Sequence, residues 1–282
     1  MVNGEFVSDE HTSYTGQAES DWRYYHAKSP ITPYPLLVVN GYLGCMEAYV
    51  PFAQQCASRG LDTVIMEPPR RQKRNLGLHP DHFLHPERLL AQMTGRIARD
   101  IIEKYDFEKV DVTGHSMGTP AIVEAAERWP ERFHSVTLNG GAGMTEHDFL
   151  TLVRRMPKAG LGLLGCLPEL RTNFELRSIL PATVKYIATN PIRTVGEGIA
   201  VTQSNIRPSL AKLGSLSIQR AAILFTGDEL FPYDEALELC GNDLEAVRIL
   251  PYQHTGPQTH PDETAIAQAE ILQQFGSIPR AA

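Results

Sequence analysis

Short apolar runs recur along this chain without the in–out alternation of a strand that faces water: Leu36 to Val39, Thr63 to Met66, Val110 to Val112, Val136 to Leu138, Ala222 to Phe225 and Val247 to Leu250. Runs of this length and character suit strands covered on both faces. Between them, helical periodicity predicts helices over Glu47 to Ser58, Pro86 to Tyr105, Met117 to Trp129, Tyr233 to Leu239 and Asp262 to Phe275. Strand–helix alternation of this kind implies an α/β architecture, a mostly parallel twisted sheet with helices on both faces. The segment around Trp22 to Tyr25 is expected to add antiparallel edge strands.

The alternation fails from about Met144 to Gln219, where the pattern is helical but broken at Pro157, Pro168, Pro181, Pro191 and Pro208. The same stretch holds the apolar, glycine-rich Leu161-Gly162-Leu163-Leu164-Gly165-Cys166-Leu167. At 282 residues the chain can bury one large core with a smaller insertion. We therefore expect a core of residues 1–143 and 220–282, with a helical cap of residues 144–219 inserted after the strand near 134–138. Such a cap would lie over the strand ends, where open α/β sheets bind ligands. An ordinary packed extra layer is the alternative.

Several function classes recede on composition. With 42% hydrophobic and 21% charged residues the chain is globular rather than disordered. A formal net charge of −7 argues against a nucleic-acid partner. No apolar stretch is long enough to span a bilayer, so no stable membrane insertion is expected. Met1 to Ser20 is polar and acidic, unlike a signal peptide. Cys45, Cys56, Cys166 and Cys240 are scattered, which fits reduced, core-filling thiols and a cytoplasmic setting. His79, His82 and His85 cluster, but without the cysteine or carboxylate partners that complete a metal set, so no metal is expected. No phosphate-cradling glycine loop appears, and no cofactor is expected. The sequence does not disclose an oligomeric state.

The chemistry enters where Val110-Asp111-Val112-Thr113 breaks into Gly114-His115-Ser116-Met117-Gly118, ahead of a helical pattern. A G-x-S-x-G turn between strand and helix holds its serine in strained geometry and presents the hydroxyl beside the helix's first N–H groups. Nucleophile and anion stabiliser then come from one turn, as acyl transfer requires. On this basis Ser116 is the candidate nucleophile.

Several further motifs fall in a familiar chain order. Val38-Val39-Asn40-Gly41-Tyr42-Leu43-Gly44 resembles a strand followed by a His-Gly loop, and Glu47 to Gly60 a first helix with its glycine stop. Pro130-Glu131-Arg132-Phe133 resembles the entry to the next strand, and Phe225-Thr226-Gly227-Asp228-Glu229-Leu230-Phe231-Pro232 an acid loop. From about Leu36 to Phe275 the chain is similar to the α/β-hydrolase fold superfamily, in particular to its lidded esterases and lipases. The resemblance implies that fold and a serine, acid, histidine triad in that order.

Carried over residue by residue, the resemblance implies Asp228 as the acid, with Glu229 and Asp234 as nearby substitutes. It implies His254 as the base, counted back from Pro261-Asp262-Glu263, with His260 as the alternative in the same loop. His115 should point away from the nucleophile. The resemblance also points to the backbone N–H of Met117 and of Tyr42 as oxyanion donors, with Leu43 as alternative to the latter. Asn40 stands where relatives usually carry histidine, and Thr119 where a second small residue is common. The basic run Arg70-Arg71-Gln72-Lys73-Arg74 replaces a glycine-rich turn; it could steer an anionic substrate or simply be solvated.

The implied activity is hydrolysis of a carboxylic ester of a small hydrophobic molecule through an acyl-enzyme. Thioester, lactone, amide and carbon–carbon bond hydrolysis use the same parts. A ligand-binding protein of the same fold without turnover is the rival from another class.

Overall fold

A computed structural model describes residues 8–15, 18–41, 45–71, 86–145, 151–152, 154–155 and 191–277. Among the described residues nine strands form one sheet: β1 (Ser8–Thr15), β2 (Ala18–Tyr25), β3 (Leu36–Val39), β4 (Thr63–Met66), β5 (Arg70–Arg71), β6 (Val110–His115), β7 (Phe133–Asn139), β8 (Gln219–Gly227) and β9 (Ala246–Gln253). Their order is β1-β2-β4-β3-β6-β7-β8-β9, with β5 paired to β2. Every pairing from β4 through β9 is parallel, while β1, β2 and β5 pair antiparallel. The Trp22 to Tyr25 segment thus lies in an antiparallel edge, with Trp22 opposite Met66 of β4.

All but one of the unbroken apolar runs are explained by what covers them; Val247 to Leu250 instead lies in β9 at the sheet's edge, where Ile249 is 47% exposed and Arg248 interrupts the run. Leu37, Val39, Val112, Val136, Leu138 and Leu224 face one layer, formed by α2 (Pro86–Tyr105), α3 (Gly118–Arg128), α5 (Arg207–Ser215) and α6 (Tyr233–Cys240). Their neighbours Leu36, Val38, Ile65, Ile223 and Phe225 face the other, formed by α1 (Val50–Ser58) and α7 (Pro261–Ser277). Side chains alternate across a strand, so a strand with layers on both sides needs apolar residues at every position. Helix α1 ends where the glycine stop was expected: Gly60 sits at φ +85°, and the N–H groups of Gly60 and Leu61 return to the carbonyls of Ala57 and Cys56.

Between β7 and β8 the described chain is helical, at 151–152, at 154–155, in α4 (Pro191–Gln203) and in α5. Not all of the stretch read as a cap stands apart from the sheet. Met144, Leu210 and Leu213 are fully buried in the layer shared with α3 and β7. The i, i+3 spacing of Leu210 and Leu213 gives α5 an apolar face, and the sheet is where it is satisfied. The Leu161–Leu167 run, Cys166, residues 72–74 of the basic run and the histidines 79, 82 and 85 lie outside the described residues. Cys45, Cys56 and Cys240 are free and buried; burial raises the thiols of Cys45 and Cys240 to about 11, which suits inert packing. Among the described residues no helix is long and apolar enough to cross a membrane.

Candidate active site

Ser116 follows the last residue of β6 with φ +52°, in the left-handed region that a side chain rarely adopts. Such a conformation persists only where the surroundings over-determine it. Here its N–H donates to the Asn139 carbonyl of β7 (3.1 Å), and its carbonyl accepts from Thr119 (3.0 Å) and Ala142 (3.2 Å). The glycines either side permit the turn by close approach: a Cβ on Gly114 would lie 2.6 Å from the Gly118 carbonyl, and one on Gly118 2.5 Å from that of Val39. Thr119 adds a bond from Oγ1 to the Gly114 carbonyl (2.9 Å), so its departure from the expected small residue reinforces the turn. Met117, whose N–H is the expected oxyanion donor, stands just before α3 and is buried. Tyr42 and Leu43, the expected sources of the second donor, lie outside the described residues.

Asp228 and His254 meet at the same edge of the sheet, just past the ends of β8 and β9. His254 Nδ1 lies 2.8 Å from Asp228 Oδ2, with the two side chains 9% and 1% exposed. The other carboxylate oxygen accepts the N–H groups of Leu230 and Phe231, each at 2.9 Å. A carboxylate can only accept, so His254 carries its proton on Nδ1 and leaves Nε2 as the basic nitrogen. A bulge helps to set the pair: Phe225 pairs with Leu250 and Gly227 with Gln253, one more residue on β9 than on β8. Such bulges re-aim the residue that follows, here His254. Phe231 packs edge-on against the imidazole (5.3 Å between centroids) and belongs to an apolar cluster with Ala142 and Leu152.

Two of the alternatives named from sequence, His260 and Asp234, have other partners. His260 stacks on Tyr252 (3.8 Å, 12°) and shares a hydrogen bond with Thr259. Asp234 is exposed and bonds the N–H of Glu235 at the start of α6. His115 is turned from the serine toward Tyr49, with Nδ1 2.6 Å from the phenol, while its Nε2 lies 2.8 Å from the His254 carbonyl. Asn40 donates from Nδ2 to the Met66 carbonyl (2.8 Å), tying β3 to β4.

A second Asp/His/Ser group lies at the opposite end of β6. His134 Nδ1 (2.8 Å) and Ser135 Oγ (2.6 Å) both bond Asp111 Oδ1. There the serine donates to the carboxylate rather than to an imidazole, and the group anchors β7 to β6. Among the described residues no group of three or more His, Cys, Asp or Glu side chains is arranged to hold a metal ion. Tyr49, Gln258 and Phe231 carry no sequence signal for their places around this site. Each reads as an ordinary core or loop residue until the fold brings it there.

Comparison with known proteins agrees with this architecture. Residues 34–165 match the family profile described as the alpha/beta hydrolase fold. Over 166 residues the chain is 24% identical to a 2-hydroxy-6-oxononadienedioate/2-hydroxy-6-oxononatrienedioate hydrolase of Pseudomonas putida, covering 53% of this chain and 57% of that protein's length. Among solved structures, a membrane phospholipase A described as a bacterial virulence factor superposes with a TM-score of 0.68 at 14% identity, over 96% of this chain and 87% of that one. The 2-hydroxy-6-oxo-6-phenylhexa-2,4-dienoate hydrolase of Rhodococcus sp. strain RHA1 gives 0.65 at 16% identity, over 97% and 100%. At these identities the structural likeness speaks for the fold, and in strand order as in comparison this chain has the α/β-hydrolase fold.

Proposed function

We propose that the protein is a serine hydrolase that cleaves a carboxylic ester of a hydrophobic substrate through an acyl-enzyme. The buried His254–Asp228 pair carries this reading, because it stands at the strand edge that also presents Ser116 and fixes the imidazole tautomer a general base needs. A serine hydroxyl is a weak nucleophile without such a base. In the proposed reaction His254 Nε2 takes the Ser116 proton as Oγ attacks the ester carbonyl. The oxyanion is met by the Met117 N–H and, on this proposal, that of Tyr42. His254 then protonates the leaving alcohol, and water releases the acyl group by the same route. The cluster of Ala142, Leu152 and Phe231 beside His254 supports an apolar acyl group or body, with the inserted helical region proposed as its cover. The absence of a membrane-spanning helix among the described residues is compatible with a small-molecule substrate met in solution, and we propose a cytoplasmic setting.

A second reading takes its support from the relatives: two of the proteins above are named as hydrolases of 2-hydroxy-6-oxo-dienoates. The same serine, base and oxyanion donors would then serve cleavage of a carbon–carbon bond beside a ketone. A fluorophosphonate probe tests the common ground. It is expected to label the native protein and to leave Ser116→Ala unlabelled. A panel of p-nitrophenyl esters of increasing chain length, run beside a 2-hydroxy-6-oxo-dienoate, then separates the two readings. A native protein that neither labels nor turns over either substrate would instead be a ligand-binding member of the fold.

A further inference from the structure

Tyr49 closes the short helical turn Met46–Tyr49 that leads into α1, and its side chain is fully buried. Its hydroxyl oxygen lies 2.6 Å from His115 Nδ1, 3.1 Å from the Gly41 nitrogen and 3.0 Å from Gln258 Nε2. Beyond it, His115 Nε2 lies 2.8 Å from the His254 carbonyl oxygen. The direction of every bond follows from donor chemistry. A carbonyl only accepts, so the His115 proton sits on Nε2 and Nδ1 is the acceptor. The Tyr49 O–H therefore donates to Nδ1, and its oxygen accepts from the Gly41 N–H and the Gln258 amide. Burial and the neighbouring His254 push His115 down to about 3, which keeps the ring in the neutral form this pattern needs.

The groups held by this chain of bonds are main-chain groups of two segments with proposed roles. His254 is the proposed base. Gly41 immediately precedes Tyr42, the proposed oxyanion donor, and it lies hard against the elbow: a Cβ there would stand 2.9 Å from both His115 Nδ1 and Ser116 Cβ. The shared hydroxyl is thus a fixed point from which both segments are measured, and His115 itself is part of the turn that carries the serine. We propose that Tyr49 and His115 are positioning residues that hold the main chain at His254 and Gly41 in register with Ser116. Neither has to touch the reacting atoms. A displacement of about 1 Å in such a supporting shell costs about 100-fold in rate. The inference rests on the serine-hydrolase reading.

Tyr49→Phe tests it, since the ring is kept and only the hydroxyl is lost. On an ester that the native protein turns over, kcat is expected to fall by about 10- to 100-fold with KM within about twofold. The resonance of the His254 Nδ1 proton that bonds Asp228 is expected to shift in the proton NMR spectrum. His115→Gln keeps a donor for the His254 carbonyl and should retain more kcat than His115→Leu. Should Tyr49→Phe fail to fold, Gln258→Leu at the part-buried rim loosens the same hydroxyl and should show the same two effects in smaller measure. Native kcat with an unmoved resonance, in whichever variant folds, overturns the inference, as does equal loss in His115→Gln and His115→Leu. The resonance needs no substrate. A native protein without labelling or turnover therefore defeats the hydrolase reading, while the resonance alone still decides whether Tyr49 positions His254.

Discussion

Ser116 holds a left-handed backbone that costs a residue with a side chain about 1–3 kcal/mol. Bonds to Asn139, Thr119 and Ala142 offset that cost, so the strain is fixed by β7 and the first turn of α3 rather than by the serine. The same logic of supporting residues separates His254 from its neighbour. His254 faces a buried carboxylate whose second oxygen is fully occupied by two N–H groups, whereas His260 lies flat against Tyr252. His254→Ala is expected to lower kcat by about 1,000-fold or more, and Asp228→Asn by a comparable factor through the wrong tautomer. His260→Ala should stay within about tenfold of the native rate. Steady-state kinetics on one ester checks all three, and the reverse order for the two histidines would move the base to His260.

At the scale of elements, the site is assembled from strand ends. Ser116 follows β6, Asp228 follows β8, and the extra residue in β9 sets His254 against Asp228. The helices are less interchangeable than their periodicity suggests. Helix α5 falls within the proline-broken stretch, yet Leu210 and Leu213 complete the layer over β7 and β8. Truncating either to Ala should therefore destabilise the whole core by about 2–5 kcal/mol, as for a buried leucine. Equilibrium urea unfolding measures it. Losses below about 1 kcal/mol would instead place α5 with a loosely held cap.

For the whole molecule, His115 ties the candidate site to acid stability. Its value in the fold is pushed from an ordinary 6.5 down to about 3, chiefly by burial and then by His254. The unfolded chain therefore binds this proton more readily than the folded one. The contribution to stability is fully present above about 6.5 and is lost progressively as pH falls from there toward about 3. Denaturation midpoints of native protein and His115→Gln, compared at pH 7 and pH 4.5, are expected to show the smaller acid loss in the variant. Equal losses would mean that other groups carry the acid sensitivity.

Periodicity and spacing made much of this molecule legible in advance. Apolar runs without alternation suit strands with layers on both sides, as all but the edge run Val247 to Leu250 prove to be, and Pro86 to Tyr105 reads as a helix from its apolar spacing alone. The Gly-His-Ser-Met-Gly turn located its serine because a strained strand-to-helix turn needs small residues at fixed offsets. These are local properties, written within a few residues of one another. What required the tertiary structure was every relation between distant segments. No spacing in the chain reveals that Tyr49, His115, Gly41 and Gln258 share one buried hydroxyl, or that α5 belongs to the sheet. Hydrogen bonds and side-chain packing act across space, and only the folded backbone decides which groups come within their reach.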